Sequence, residues 1–270
     1  YPSHTVFVRR PVTDNSAGEV HSISSLRWDR ERLITAVETG SNTIKLILWS
    51  VNITEGIRRL TPVNNTGGIA GEATGIRMVR CGDNIITSMQ DGSGNLFLIS
   101  WGLADNQFTR KHSSDALAGE ASKIRILSLS NTKVLTACRN GSGNLLLILW
   151  NVDEAGNFLR LADSGSQAGG VRGISMVQIR ERNSRHIIAT TVIAGNGNIK
   201  VITWAVSVTT NIITRLADSG TQIGEGSGLA TDLGRYGHLI VSCKNSSGKL
   251  FLISLSISAS GQVTRIADTG

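Results

Sequence analysis

Proline and aromatic residues are scarce in this chain of 270 residues, which has three prolines and an aromatic fraction of 4%. Sequence-specific readers of single-stranded nucleic acid need aromatic side chains among their basic residues, and that interleaving is missing here. No recognised nucleic-acid module is present either. We therefore expect no specific binding of DNA or RNA.

Cysteine is equally rare, and three cysteines cannot form a fully paired disulfide framework. Cys138 and Cys243 fall at the position that other copies of an internal repeat, described below, fill with Val37, Met89 and Val192. A position shared by Cys, Met and Val is typical of a buried apolar site rather than of redox or metal chemistry.

The sequence also lacks long apolar runs and common catalytic spacings. No apolar run reaches the roughly 18 residues that a membrane-spanning helix needs. The five histidines include no pair at metal-ligand spacing, and the serine-rich stretches contain no nucleophile elbow. We expect no membrane span and no cofactor. The cellular location stays open, and the feature that favours secretion is a set of four glycosylation sequons at Asn52, Asn64, Asn140 and Asn245.

What the sequence does contain is a unit of roughly 50 residues that occurs five times. Each copy has an Ala-Gly-Glu-like start, two apolar stretches, a Gly/Ser/Asn turn, a third apolar stretch and an Arg-containing stretch. A period of this length with several short strands per unit fits the blade of a β-propeller. We place the repeats at 19–71, 72–119, 120–169, 170–224 and 225–270, within a single domain over 1–270.

The third copy shows the strand pattern of one blade. Apolar stretches at 124–129, 134–138 and 145–150 are followed by 158–161, and Asn140 to Asn144 supplies turn residues between the second and third. Four antiparallel strands joined by short turns make a blade, and no stretch shows helical periodicity with caps. The sequence therefore predicts an all-β fold, a five-bladed β-propeller of four-stranded repeats.

The amino-terminal residues raise the question of how such a ring closes. Residues 5–18 match the fourth strand and following loop of a repeat, yet the fifth copy already has its own fourth strand at 263–268. We expect residues 1–18 to add an extra outer strand at the seam of a closed ring. Pairing with another subunit and membership of a longer array remain alternatives, and the oligomeric state is open.

Tryptophan ends the third apolar stretch in four copies, and the fifth copy has Leu255 there. Each Trp follows apolar residues, which favours packing between blades, and leucine can replace it in that role. The alternative is a platform on which sugars stack. Trp49, Trp101, Trp150 and Trp204 are therefore candidates for both roles.

The turns after the second strand supply a second set of candidate ligand-binding residues. Their carboxamide, carboxylate and backbone groups can hydrogen-bond sugar hydroxyls, although hairpin turns need the same residue types for their backbone conformation. The candidates for ligand binding are Asp91, Asn95, Asn140, Asn144, Asn196, Asn198 and Asn245.

Charged residues recur at two further repeat positions. Glutamates precede the first strand in four copies, at Glu19, Glu72, Glu120 and Glu225, and they pair locally or hold a divalent cation near one mouth of the channel. Arginines recur in the fourth strand, where they protect a sheet edge or form a basic belt for polyanions. A net charge of +7 favours the belt. The outer basic residues are Arg58, Arg59, Arg110, Lys111, Arg160, Arg215 and Arg265.

Asp232 breaks the repeat, because Leu26, Val79, Leu127 and Val177 occupy its position in the other copies. A carboxylate buried at an inner strand must be paired or functional, since burying it alone costs several kcal/mol. Asp232 is therefore the candidate general acid or base of an enzyme, with His21 and Tyr236 as companions. A shift of the strand through Gly234 would instead place Asp232 in solvent.

In repeat regularity, blade length and blade number, the chain resembles small propellers of the tachylectin or fucose-lectin type. That resemblance implies a propeller fold with sugar sites repeated around the ring, and no site residues are carried over from it. We expect a non-enzymatic binding module with repeated weak sites for glycans. The alternatives are a hydrolase or lyase with one site at the central channel, and a scaffold for protein interactions.

Overall fold

The structure is a computed structural model that describes residues 19–52, 56–59, 72–115, 117–220, 223–234 and 237–270. Its strands form five antiparallel sheets of four strands each, and each sheet is built from strands consecutive in sequence. The described residues contain no helix that is long and apolar enough to cross a membrane. The all-β prediction is confirmed, and the five sheets match the five predicted repeats. We call these sheets blades 1 to 5.

The strand bounds follow the predicted units. Blade 1 consists of β1 (Val20–Arg27), β2 (Arg32–Thr39), β3 (Ile44–Asn52) and β4 (Gly56–Arg59). Blade 2 consists of β5 (Ala73–Cys81), β6 (Asn84–Asp91), β7 (Leu96–Ala104) and β8 (Gln107–Ser113). Blade 3 consists of β9 (Ala121–Ser128), β10 (Lys133–Asn140), β11 (Leu145–Val152) and β12 (Phe158–Asp163).

The remaining two blades repeat this order. Blade 4 consists of β13 (Val171–Arg182), β14 (Arg185–Ala194), β15 (Ile199–Ser207) and β16 (Ile212–Asp218). Blade 5 consists of β17 (Gly226–Leu233), β18 (Leu239–Asn245), β19 (Leu250–Ile257) and β20 (Val263–Asp268). The first strands of successive blades contact one another, from β1 through β5, β9 and β13 to β17. The blades are therefore arranged side by side with their first strands on the inside, as in a propeller.

Three of the four tryptophans that end a third strand pack between neighbouring blades, whereas Trp49 in blade 1 is half-buried and donates to Thr35 Oγ1 at 2.9 Å. Trp150 is completely buried among residues that include Leu96 and Leu98 of blade 2, and its indole Nε1 donates to Thr136 Oγ1 at 3.0 Å. Trp101 and Trp204 are also completely buried and donate to the equivalent threonines at 2.9 Å. Leu255 fills the same position against blade 4. The burial agrees with the packing interpretation, because a completely buried ring has no face for a sugar.

The cysteines are part of the same apolar interfaces. Cys138 and Cys243 are buried and unbridged, and burial raises the pKa of the Cys138 thiol to about 12. Such a thiol is inert because only the thiolate reacts or binds metal. The predicted buried apolar position is confirmed.

Blades 1 and 5 each carry an apolar face that no other described blade covers. We call the side of a blade that meets the preceding blade its leading face, and the side that meets the following blade its trailing face. On leading faces, Ile76 of blade 2 is 0% exposed whereas its equivalent in blade 1, Ile23, is 60% exposed. On trailing faces, Leu145 of blade 3 is 0% exposed whereas Leu250 of blade 5 is 72% exposed. The leading face of blade 1 and the trailing face of blade 5 therefore expose the kind of apolar residues that are buried where inner blades meet.

Ring closure and the extra strand stay predictions. No contact comparable to those between successive blades joins β1 to β17 among the described residues. The predicted extra strand at 1–18 lies outside the described residues, as does much of the predicted connection between blades 1 and 2.

Candidate functional site

One end of the array is a continuous rim of turns. In blades 1 to 4, the turn between the second and third strands is hydrogen-bonded to the start of the next blade. Between blades 2 and 3, Ala121 N donates to Gly94 O and Leu96 N donates to Gly119 O, both at 2.9 Å. The same pattern places Asn95 beside Glu120, Asn144 beside Gly170 and Asn198 beside Glu225. The rim therefore brings the predicted turn residues and the predicted glutamates together.

The side-chain oxygens of the turn residues hold the turns in shape. Asp91 Oδ1 accepts the backbone N–H of Ser93 at 3.0 Å and of Asn95 at 2.8 Å. Asn140 Oδ1 accepts from Asn144 N at 2.9 Å, and Asn245 Oδ1 accepts from Lys249 N at 2.9 Å. In blade 4 this position is Ala194, and Asn196, two residues further along the turn, accepts from Asn198 N at 3.2 Å through its Oδ1.

In the asparagines of these turns, the structural hydrogen bonds engage only the Oδ1 atom of the carboxamide. Within the described part of the chain, the NH₂ groups of Asn140, Asn196 and Asn245 make no hydrogen bond. They are donors on an exposed or half-exposed rim, where a sugar hydroxyl can accept from them.

The glutamates lie across the turns of their own blades rather than around a shared cation. A Cβ built on Gly40, Gly92 or Gly141 would approach the Oε2 atom of the local glutamate to 2.5–2.6 Å. The three carboxylates concerned are those of Glu19, Glu72 and Glu120. No group of three or more His, Cys, Asp or Glu side chains that could hold a metal occurs among the residues described.

A cavity of about 490 Å³ opens on the rim where blades 4 and 5 meet. It is lined by Gly197 from the blade 4 turn, by the Glu225 to Ser227 start of blade 5, and by Lys244 to Gly248 of the blade 5 turn. The lining offers a carboxylate, a carboxamide, hydroxyls and an ammonium group, which suits a ligand rich in hydroxyls. Of its residues, the sequence had indicated Asn245 and Glu225. Ser246 and Ser247 belong to the turn that the sequence indicated, whereas Lys244 was missed although it adjoins Asn245.

Asp232 keeps its repeat register but lies in solvent. It pairs with Ile240 as Leu26 pairs with Ile34, so the strand is not shifted. Its side chain is exposed on the trailing face of blade 5, and its Oδ1 accepts from Leu233 N at 2.8 Å. Among the described residues Asp232 therefore has neither the burial nor the charged partner that motivated a catalytic carboxylate, and its burial in a closed ring stays a prediction.

Neither of the two residues expected to act with Asp232 is placed beside it by the structure. His21 lies on blade 1, with Nε2 at 3.5 Å from Glu19 Oε1 and Nδ1 at 3.8 Å from Glu38 Oε1. Tyr236 lies outside the described residues. The structure therefore assembles no acid–base group around Asp232 among the residues that it describes.

The outer arginines are engaged within their own strands. Arg160 Nη2 donates to Asp163 Oδ2 at 2.8 Å, and Arg215 and Arg265 form the same pair with Asp218 and Asp268. Arg160 Nη1 also donates to Leu117 O at 2.8 Å. Because each of these charges is balanced three residues away, the pairs favour edge protection over a polyanion belt. The side chains of Arg58 and Arg59 lie outside the described residues.

Comparison with known proteins identifies the fold. No protein-family model and no curated protein sequence matches the chain. Solved structures do match it, among them a mutant of the Aleuria aurantia lectin in complex with alpha-methyl-L-fucoside. This match has a TM-score of 0.57 and 11% identity, and covers 91% of this chain and 77% of the lectin. The predicted resemblance to lectin-type propellers is confirmed at the level of fold.

Two further matches connect the same fold with other proteins. A candidate 6-phosphogluconolactonase of Bacteroides uniformis matches with a TM-score of 0.59 and 12% identity, covering 91% of this chain and 70% of that chain. Saccharomyces cerevisiae Sqt1 matches with a TM-score of 0.57 and 12% identity over 94% of this chain. The chain spans 63% of the length of Sqt1. The fold is therefore shared by proteins of different kinds and does not select a function.

Proposed function

We propose that this protein is a non-enzymatic binding module that holds carbohydrate at repeated sites along the rim of turns. The observation that carries the proposal is the cavity between Glu225 and the Asn245 turn, which is open, polar and placed on a rim whose turns recur in every blade. A sugar hydroxyl both donates and accepts, so it can bridge a carboxylate acceptor and a carboxamide donor.

The composition of the rim predicts weak individual sites. The completely buried tryptophans Trp101, Trp150 and Trp204 supply no stacking surface, so each site depends on hydrogen bonds that compete with water. Several such sites on one chain bind a branched or repeating glycan with avidity, since the second contact is intramolecular. A lectin of similar fold forms a complex with a fucoside, so this kind of fold accommodates sugar in another protein.

A triple Asn→Asp variant tests the rim. In N140D/N196D/N245D each side chain keeps the Oδ1 acceptor of the turn and loses its NH₂ donor. Asp91 occupies the position of Asn140 and Asn245 in blade 2, which shows that this position accepts aspartate. On an array of neutral glycans, we expect the wild type to bind and the triple variant to bind about 10-fold more weakly, as the loss of a hydrogen bond predicts.

The matched control is Asn131→Asp, which makes the same chemical change in an exposed turn at the opposite end of blade 3. Its binding should equal that of the wild type, and both variants should keep the wild-type unfolding midpoint. A wild-type protein that binds no glycan, or a triple variant that binds like N131D, would contradict the proposal.

The proposed architecture is the closed five-bladed ring, in which the trailing face of blade 5 meets the leading face of blade 1. Two observations support it. Leu250 and Ile23 are the exposed equivalents of residues that are completely buried between inner blades. In addition, Ser254 occupies the position of Ser100 and Thr203, whose hydroxyls donate at 2.7 Å to Gly156 O and Gly261 O of the following blade.

A closed ring predicts that lysine substitutions at two exposed leucines differ strongly in their effect on the free energy of unfolding. If the trailing face of blade 5 is covered, Leu250→Lys should lower the free energy of unfolding by at least about 2 kcal/mol. Leu159→Lys on the outer strand of blade 3, which is 60% exposed, should change it little. Urea unfolding measures both, and light scattering should give a monomer mass. Equal stability of the two variants would show that this face is open to solvent.

A further inference from the structure

A second cavity, of about 370 Å³, lies between the first strands of blades 2 and 3. Three of its lining residues carry a positive charge, namely Arg77, Lys123 and Arg125. The others are Thr74, Gly75, Gln90, Ser122 and Ile124, so the lining contains no acidic residue. Gln90 Nε2 donates to Gly94 O at 3.3 Å, which places the cavity directly beside the blade 2 turn of the rim.

The two arginines occupy one position of the repeat. Arg77 pairs with Ser88, and Arg125 pairs with Ala137. The equivalent residues are small and uncharged in the other blades, where they are Ser24, Ser175 and Ala230. The requirements of the strand therefore do not account for arginine here, because three blades form the same pairing without it.

Neither arginine of this pair forms an ion pair with a carboxylate in the part of the chain that the structure describes. Arg77 Nη1 donates to Ile76 O and Arg125 Nη1 donates to Ile124 O, each at 2.7 Å, and neither guanidinium has a carboxylate within 4 Å among the described residues. The buried carboxylate of Glu38 contacts the lining at Gly75, whose backbone N–H it accepts at 3.1 Å. Burial, followed by the positive charge of Arg77, lowers the pKa of Arg125 to about 10. Two half-buried like charges side by side cost free energy unless an anion joins them.

We propose that this cavity is a binding site for the oxyanion group of a small ligand, a carboxylate, sulfate or phosphate. Two guanidinium groups and an ammonium group converge on it, and guanidinium binds planar and tetrahedral oxyanions through paired N–H donors. The hydroxyls of Thr74 and Ser122 complete a polar lining that is large enough for a ligand of monosaccharide size. A pair of arginines at this position occurs once among the described blades, whereas the turns of the rim recur, and the anion site does not depend on the rim sites.

Calorimetry with simple anions tests this site. Sodium sulfate, sodium phosphate and sodium glucuronate are titrated at constant ionic strength set with sodium chloride, with glucose as the uncharged comparison for glucuronate. We expect at least one of the three anions to bind with a stoichiometry of one. If sulfate or phosphate binds more tightly than glucuronate, the ligand of this site is an inorganic anion or a sulfate or phosphate ester. If glucuronate binds more tightly, the ligand is a sugar acid.

The test variants replace each arginine with the residue that other blades carry at the same repeat position. Arg77→Ser and Arg125→Ser introduce the residue found in blades 1 and 4, and each should weaken anion binding at least 10-fold without lowering the unfolding temperature in chloride buffer. Arg30→Gln, which removes one exposed positive charge from a distant turn, should stay within twofold of the wild type.

Two results would overturn the site, namely no binding of any of the three anions, or R77S and R125S variants that bind like R30Q. The rim variant N140D/N196D/N245D should keep its anion binding. Failure of the anion site and failure of the rim sites are therefore distinguishable.

Discussion

Replacement of Trp150 by alanine is expected to lower the free energy of unfolding by about 3–5 kcal/mol, which is the usual cost of removing a buried aromatic side chain. Trp150 is completely buried between blades 2 and 3, against Leu96 and Leu98. Its removal leaves a cavity and also deprives Thr136 Oγ1 of its indole donor. Urea unfolding followed by circular dichroism measures the loss.

The fifth blade provides the control for this prediction. Trp150→Leu introduces the residue that blade 5 carries at the equivalent position, where Leu255 is completely buried. We expect it to cost clearly less than the alanine variant and to leave glycan binding unchanged. A W150A protein within about 1 kcal/mol of the wild type would contradict the interfacial role, and a W150L protein that loses glycan binding would restore the stacking interpretation.

The second large effect is expected at Gly261, where blades 4 and 5 approach each other closely. Gly261 has φ +90° and a Cβ added there would lie 2.6 Å from Leu216 Cδ1 and 2.8 Å from Leu216 Cβ. Its carbonyl also accepts the Thr203 hydroxyl at 2.7 Å. Gly261→Ala therefore combines backbone strain with a clash between blades 4 and 5, and it should destabilise the protein by about 3 kcal/mol or more.

Gly197→Ala separates the two causes. Gly197 has the same φ of +90°, but a Cβ added there meets no atom within 4 Å. We expect it to cost about 1–2 kcal/mol from backbone strain alone. The difference between the two variants in urea unfolding is then the contribution of the contact between blades. If both variants lose the same free energy of unfolding, the contact between Gly261 and Leu216 contributes nothing to stability.

The sequence predicted the blades well because each strand carries a local signal. The stretches 124–129, 134–138, 145–150 and 158–161 correspond to β9, β10, β11 and β12, with differences of a few residues at the ends. Alternating and continuous apolar stretches bounded by turn residues suffice for this, and five copies reinforce one another. The apolar position of Cys138 was predicted for the same reason.

The site was harder to predict because it depends on contacts between blades. The exposure of Asp232 follows from its place on an end face, which the sequence of one repeat does not show. The role of Arg77 and Arg125 likewise depends on two first strands lying side by side. In the sequence each arginine follows a glutamate by five residues, at Glu72 and Glu120. Among the described residues, however, neither guanidinium has a carboxylate within 4 Å.

The central claim is that one chain holds several weak sugar sites on its rim of turns. Native mass spectrometry of the wild type with a glycan identified on the array tests it most directly, because it counts bound ligands per chain. The account predicts more than one glycan per chain, with the higher-order species lost in N140D/N196D/N245D and retained in N131D. A single glycan per chain, unaffected by the triple variant, would contradict it.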